Sequence, residues 1–185
     1  VLYMLLKFNH LYNPETMDDS FNVTDMQNRE YNPLTNINKI YRGFLPGSLK
    51  LVEYDIKEAF PTFIDIEYDL DRKDSVYDYM SKKEFNTLIN THSEIKGSDI
   101  GKVREKLRPI YGDNVNDVIT EERFYNKGKM FSDFTKVEKE YIKKFVESNN
   151  IKDYVRLHDA VLVRKEENIN QTEFGKVVFN KSDVN

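Results

Sequence analysis

Two aspartates stand where an apolar strand gives way to polar sequence. Asp55 follows Leu51-Val52-Glu53-Tyr54, and Asp159 lies between Val155-Arg156-Leu157-His158 and Ala160-Val161-Leu162-Val163. If these strands are neighbours in one sheet, the two carboxylates converge on a hard, oxygen-rich site. Such a site suits Mg²⁺, with waters and substrate phosphates filling the rest of the shell. Two such ions, about 3.5–4 Å apart, form the clamp used for in-line phosphoryl transfer. A plainer use competes, because Asp is common in turns and at helix caps. By strand alternation Glu53 shares a face with Asp55, which makes it the better second acid over Glu58 and Asp65.

A second group of residues could hold the phosphates. Lys102, Arg104, Lys106 and Arg108 punctuate a helical stretch that ends in Tyr111-Gly112. Cations placed so can neutralise and align a triphosphate. The plain alternative is a solvated charged face. Arg123, Lys127 and Lys129 continue the basic series.

The elements that must position these groups are legible in part. Residues 49–56 alternate apolar and polar side chains, the period of a strand. Helix formers follow at Lys57-Glu58-Ala59-Phe60, with Pro61 restricted to an early helical position. Apolar residues at helical spacing predict a helix over 74–92. A second helix, capped by Ser98-Asp99, runs from Ile100 towards Pro109, with a turn at Tyr111-Gly112-Asp113. The strongest helix is 132–148, where Phe134, Val137, Tyr141, Ile142, Phe145 and Val146 form one stripe. Asn149-Asn150 stops it. Residues 153–157 and 160–164 read as strands joined by a two-residue turn at His158-Asp159. One short terminal element is expected around Phe174 to Phe179. Upstream, Val1 to Phe8 is a short apolar run. Residues 9–39, rich in Asn with Pro14 and Pro33, read as a long loop or extended arm with room for one short helix. Gly43 to Gly47 is a turn.

Composition sets the frame. The chain has 185 residues, 28 Lys+Arg against 32 Asp+Glu, a net charge of -4, no Cys and no Trp. Without cysteine there is no disulfide framework, thiolate zinc site, iron–sulfur cluster or cysteine nucleophile. No apolar run nears the ~20 residues that span a bilayer. The first six residues lack the basic region and cleavage site of a signal peptide. The expected location is the cytoplasm, that of a bacterial host if the source is a phage or plasmid. The chain opens on Val rather than Met, as an excised piece of a longer protein does. The net acidity argues against a binder that uses its whole surface for nucleic acid, but not against a local, metal-assisted grip.

Taken together, these segments resemble a nucleotide polymerase. Asp55 with Phe60-Pro61 after it resembles motif A in its family B form, Asp-x-x-x-x-Tyr-Pro. The Leu157-His158-Asp159 turn between apolar strands resembles motif C of family A DNA polymerases. The basic helix ending in Tyr111-Gly112 stands between them, where motif B belongs. The mixture points to a divergent family A-like enzyme of phage or mobile-element type, and the likeness covers roughly residues 42–167.

The resemblance implies an α+β fold: a palm-like antiparallel sheet with packed helices and a helical fingers-like segment at about 74–130. Residues 42–185 would form the catalytic domain, and residues 1–41 an N-terminal strand and arm. Asp55 and Asp159 would bind two Mg²⁺ ions, with Mn²⁺ as a substitute and the carbonyl of Ile56 as a further ligand. Phe60 would lie under the sugar and select dNTPs. Arg104 with Lys106 or Arg108 would hold the triphosphate, Tyr111 would lie near the base pair, and His158 would approach the primer terminus. His10 and His92 read as packed side chains. The partners implied are a DNA primer-template, dNTPs and further polymerase domains or replication proteins, with no membrane. Two other readings stand beside it. One is a two-metal nuclease, which needs only clustered carboxylates. The other is a catalytically silent nucleic-acid-binding or replication-accessory module that keeps a palm-like fold.

Overall fold

The computed structural model describes residues 51–90, 99–126 and 128–184, together with two short strands upstream. Those strands, β1 (Val23–Thr24) and β2 (Glu30–Tyr31), pair antiparallel within the Asn-rich stretch expected to be a loop or arm. The expected strand at 1–8 and the turn at 43–47 lie outside the described residues, as do His10, His92 and Lys127.

The fold is α+β. Five strands form an antiparallel sheet: β3 (Leu51–Ile56), β4 (Tyr154–Leu157), β5 (Ala160–Arg164), β6 (Glu173–Phe174) and β7 (Val177–Asp183), in the spatial order β4-β5-β3-β7-β6. The helices are α1 (Ala59–Glu67), α2 (Lys82–Asn90), α3 (Ile100–Tyr111), α4 (Val115–Val118), α5 (Glu121–Tyr125) and α6 (Lys129–Ser148), with 3₁₀ turns at Val76–Asp78 and Gly112–Asn114.

Strand alternation divides β3 between two environments. Val52, Tyr54 and Ile56 enter the main core with Val161, Val163, Val177 and Phe179, and Phe145 of α6 packs onto this face. Its ring lies 4.4 Å from Phe179 and 5.3 Å from Tyr54. The other face carries a smaller apolar cluster of Leu51, Val155, Leu157, Ala160, Leu162 and Val184. Glu53 and Asp55 belong to this second face, because their cross-strand partners are Leu162 and Ala160. A buried ion pair also ties the hairpin to the helix layer, with Arg156 Nη2 3.2 Å from Glu138 Oε1 of α6.

Three departures from the expected elements have physical causes. The single helix expected over 74–92 is a 3₁₀ turn followed by α2. The apolar spacing slips by five residues from Met80 to Phe85, and the Ser81 hydroxyl accepts from Glu84 N at 3.2 Å, capping a new start. The helix expected to begin at Ser132 begins at Lys129, after Gly128 in the left-handed region at φ 77°. The terminal element is longer than its apolar residues suggest. The polar half of β7 pairs with β3 through Asn180, Lys181, Ser182 and Asp183, since ladder hydrogen bonds need no apolar side chain. The caps expected at α3 and α6 are present: Asp99 accepts from Gly101 N at 2.7 Å, and Asn150 turns the chain with φ 54°.

Candidate functional site

The β4–β5 hairpin is built around His158 and Asp159. Leu157 faces Ala160 across the ladder, so these two residues form the whole loop. His158 takes a left-handed backbone conformation, φ 54°, which fits a tight reversal where the strands twist. The hairpin then docks against the end of β3. Asp55 is the cross-strand partner of Ala160, and Ile56 N donates to the Asp159 carbonyl at 2.9 Å. Asp55 and Asp159 are therefore diagonal neighbours on adjacent strands, with backbones about 6 Å apart given ordinary strand spacing and rise. Both side chains are half-exposed.

The chain then turns sharply. Lys57 N donates to Val178 O at 2.8 Å, and Glu58 adopts φ 47°, ψ 52° at the start of α1. That conformation is costly for a residue with a Cβ. It places the Glu58 carboxylate against the loop beyond α1. Arg72 Nη1 donates to Glu58 Oε2 at 3.0 Å, and Ser75 Oγ donates to Glu58 Oε1. Arg72 Nε also donates to Asp65 Oδ2 at 3.0 Å. One guanidinium thus joins two carboxylates, and all three side chains are largely buried.

Burial pushes the Asp65 carboxyl above its ordinary range, even though Arg72 opposes the shift. Burial works against the Arg72 charge too, but Asp65 and Glu58 outweigh it and hold the guanidinium ionised. Asp65 Oδ1 is buried with no hydrogen-bond partner among the described residues.

Two tyrosines border this group. Tyr77 is half-buried, and its hydroxyl pKa is raised by burial and then by the charges of Glu58 and Asp159. Tyr111, at the end of α3, is 5% exposed. Burial, with Asp65 and Glu58 adding to it, drives its pKa far upward. Its hydroxyl finds no hydrogen-bond partner among the described residues.

The expected site residues thus separate into groups. Asp55, Ile56, His158 and Asp159 meet at one end of the sheet. Tyr111 is buried at the end of α3. Phe60 packs its ring against Phe131 and Phe134 of α6, at 5.8 and 5.6 Å. Arg104 Nε donates to Ile119 O at 2.9 Å. Lys106 and Arg108 are exposed and make surface ion pairs with Glu84 (3.7 Å) and Asp113 (3.1 Å). Arg123 pairs with Glu67 and lies over the Tyr68 ring, and Lys129 pairs with Asp133 at 2.7 Å.

Sequence reading overlooked Arg72, Ser75 and Tyr77. The signal available was thin: one Arg among the acids of Asp69-Leu70-Asp71-Arg72-Lys73-Asp74, with no periodicity to place it.

Among the described residues no group of three or more His, Asp or Glu side chains is arranged to hold a metal ion. Asp55 and Asp159 offer hard oxygen donors, so they fit a Mg²⁺ or Mn²⁺ ion whose shell is completed by water or phosphate. Among the described residues no helix is long and apolar enough to cross a membrane. Compared with known proteins, the chain matches no family model, no curated protein and no solved structure.

Proposed function

We propose that this chain is the palm-like catalytic portion of a template-directed DNA polymerase, of divergent family A-like, phage or mobile-element type. The observation that carries the reading is the adjacency of Asp55 and Asp159 at one end of the sheet, where Asp55 is the cross-strand partner of Ala160 and Ile56 N donates to the Asp159 carbonyl. Two motifs more than a hundred residues apart in sequence become neighbours there. In this reading a primer 3′-hydroxyl attacks the α-phosphate of a dNTP, and pyrophosphate leaves. Asp55 and Asp159 would hold two Mg²⁺ ions, which would supply acidification of the hydroxyl and charge stabilisation for the leaving phosphates. The Ile56 backbone fixes the hairpin through its N–H bond to Asp159. In the same reading His158, in the loop itself, approaches the primer terminus. Lys106 and Arg108, whose surface ion pairs are weak, are the cations best able to exchange a carboxylate for a triphosphate. DNA primer-template and dNTPs are the partners.

A silent replication module with the same fold is the second reading. It is favoured by Phe60 and Arg104, which are engaged inside the protein rather than presented to a ligand.

Primer extension with Mg²⁺ separates the two. The polymerase reading expects dNTP incorporation by the wild type, lost in Asp159→Asn with an unchanged circular dichroism spectrum. Full activity in that variant would sink it. A silent module gives no incorporation and no coupled binding of metal and dNTP.

A further inference from the structure

We propose that one turn of α6, from Phe134 to Glu138, is a brace that sets the spacing of Asp55 and Asp159, with Glu138 and Arg156 as positioning residues; this rests on the polymerase reading above. Phe134 and Glu138 are four residues apart, so they share a face of the helix. Glu138 is 2% exposed, and its Oε1 lies 3.2 Å from Arg156 Nη2. Arg156 stands in β4, three residues before Asp159. Its cross-strand partner is Val161, a residue of the main core, so the arginine leaves the hairpin on the side of the sheet where α6 packs. One turn earlier on the helix, the Phe134 ring lies 5.6 Å from Phe60 and 6.3 Å from Phe63, both in α1. That helix starts at Ala59, four residues after Asp55. Neighbouring positions on one helix thus hold the chain just after the first aspartate and just before the second.

The hairpin gains from such a hold. β4 lies at the edge of the sheet and pairs, among the described strands, with β5 alone. Its ladder therefore fixes it from one side. The helix is a firm reference for the other side, because Phe145 stacks on Phe179 of a central strand at 4.4 Å. Glu138 lies two turns before Phe145, about 10 Å along the helix axis. A charged pair suits this task better than an apolar contact. Apolar packing has no preferred direction, whereas a guanidinium meets a carboxylate in a defined geometry. Apolar residues of similar volume would hold the fold as well as a buried ion pair does. What the pair adds is placement, and a displacement of about 1 Å at a reacting site can cost about a hundredfold in rate.

The test is primer extension by the full chain across a Mg²⁺ titration, beside urea unfolding. Removing one charge strands the other, so both go together in Glu138→Leu with Arg156→Met. This double variant should unfold at a urea concentration no lower than the wild type's. Its kcat should fall about tenfold or more, and the Mg²⁺ concentration giving half the maximal rate should rise severalfold. Arg156→Lys keeps a cation opposite Glu138 without the planar fork, and should shift both readings the same way by less. It decides the matter where the double variant fails to fold. Asn149→Ala is the structural control. It cuts the bonds from the end of α6 to Asn170 and Gln171, and should lower stability while leaving both readings at wild type. A folded double variant that keeps the wild-type rate or the wild-type Mg²⁺ requirement would overturn the brace, as would an equal shift in Asn149→Ala. If the wild type shows no extension that depends on Asp159, the polymerase reading fails and the brace fails with it. If Asp159-dependent extension is present and the Glu138 and Arg156 variants match the wild type, the brace alone fails.

Discussion

Asp55 and Asp159 sit at one end of adjacent strands, whereas Glu58 and Asp65, only a few residues along from Asp55, are tied to one arginine. Both corners gather negative charge, but they balance it differently. At the second corner the cation is built in: Arg72 bonds both carboxylates, and Ser75 completes Glu58. At the first, Asp159 has no ion pair among the described residues. A buried carboxylate needs its counter-charge in the fold, because desolvation without it is severe. The ion pairs to Arg72 thus set Glu58 and Asp65, which hold the corner together, apart from Asp159.

The comparison can be broken at the buried corner first. Arg72→Gln leaves two buried acids facing each other and should cost about 3–5 kcal/mol; a loss below about 1 kcal/mol in urea unfolding would put Arg72 with the surface charges. Glu138→Ala, which removes the buried carboxylate paired with Arg156, belongs to the same class. It should cost about as much by the same measurement.

Tyr111→Phe sharpens the picture with a smaller effect. Its folded-state pKa is raised above the ordinary 10.0. The native protein therefore keeps the phenolic proton more firmly than the unfolded chain does. Stability linked to that proton is complete below about pH 10 and is lost as pH rises beyond it. Alkaline denaturation should therefore be shallower in Tyr111→Phe than in the wild type. Near neutral pH the change should stay within about 1 kcal/mol, because the hydroxyl removed has no hydrogen-bond partner to lose. Arg108→Gln should change stability least, by about 0.5 kcal/mol or less, since its pair with Asp113 is exposed.

The sheet corner was legible in sequence because strands and hairpins leave a period-2 trace. Leu51 to Ile56 carries that trace, Ala160 to Val163 is instead a continuous apolar run buried on both faces, and a two-residue loop leaves little freedom in where Asp159 falls. The long helix was legible for the same reason, at its own period. The buried corner was not. Arg72, Ser75 and Tyr77 lie in a loop and one 3₁₀ turn, where no repeat marks which side chains face inward. Phe60 was legible only in its spacing from Asp55, which suggested a ligand contact; its ring packs on Phe131 and Phe134 of α6. The cations of α3 divide between two environments. Even spacing in sequence put Arg104, Lys106 and Arg108 together, but Arg104 is spent on a backbone carbonyl while the other two stay at the surface.

The central claim is that Asp55 and Asp159 act as one unit on a shared cation. A double-mutant cycle in Mg²⁺-dependent primer extension tests it, using Asp55→Asn, Asp159→Asn and the pair. Each single change should cost at least about a thousandfold in rate, the several kcal/mol that metal ions lend to such a transition state. The double variant should then lose no more than either single one, as groups acting together do. Losses that multiply, or a single variant that retains wild-type extension, would contradict the account.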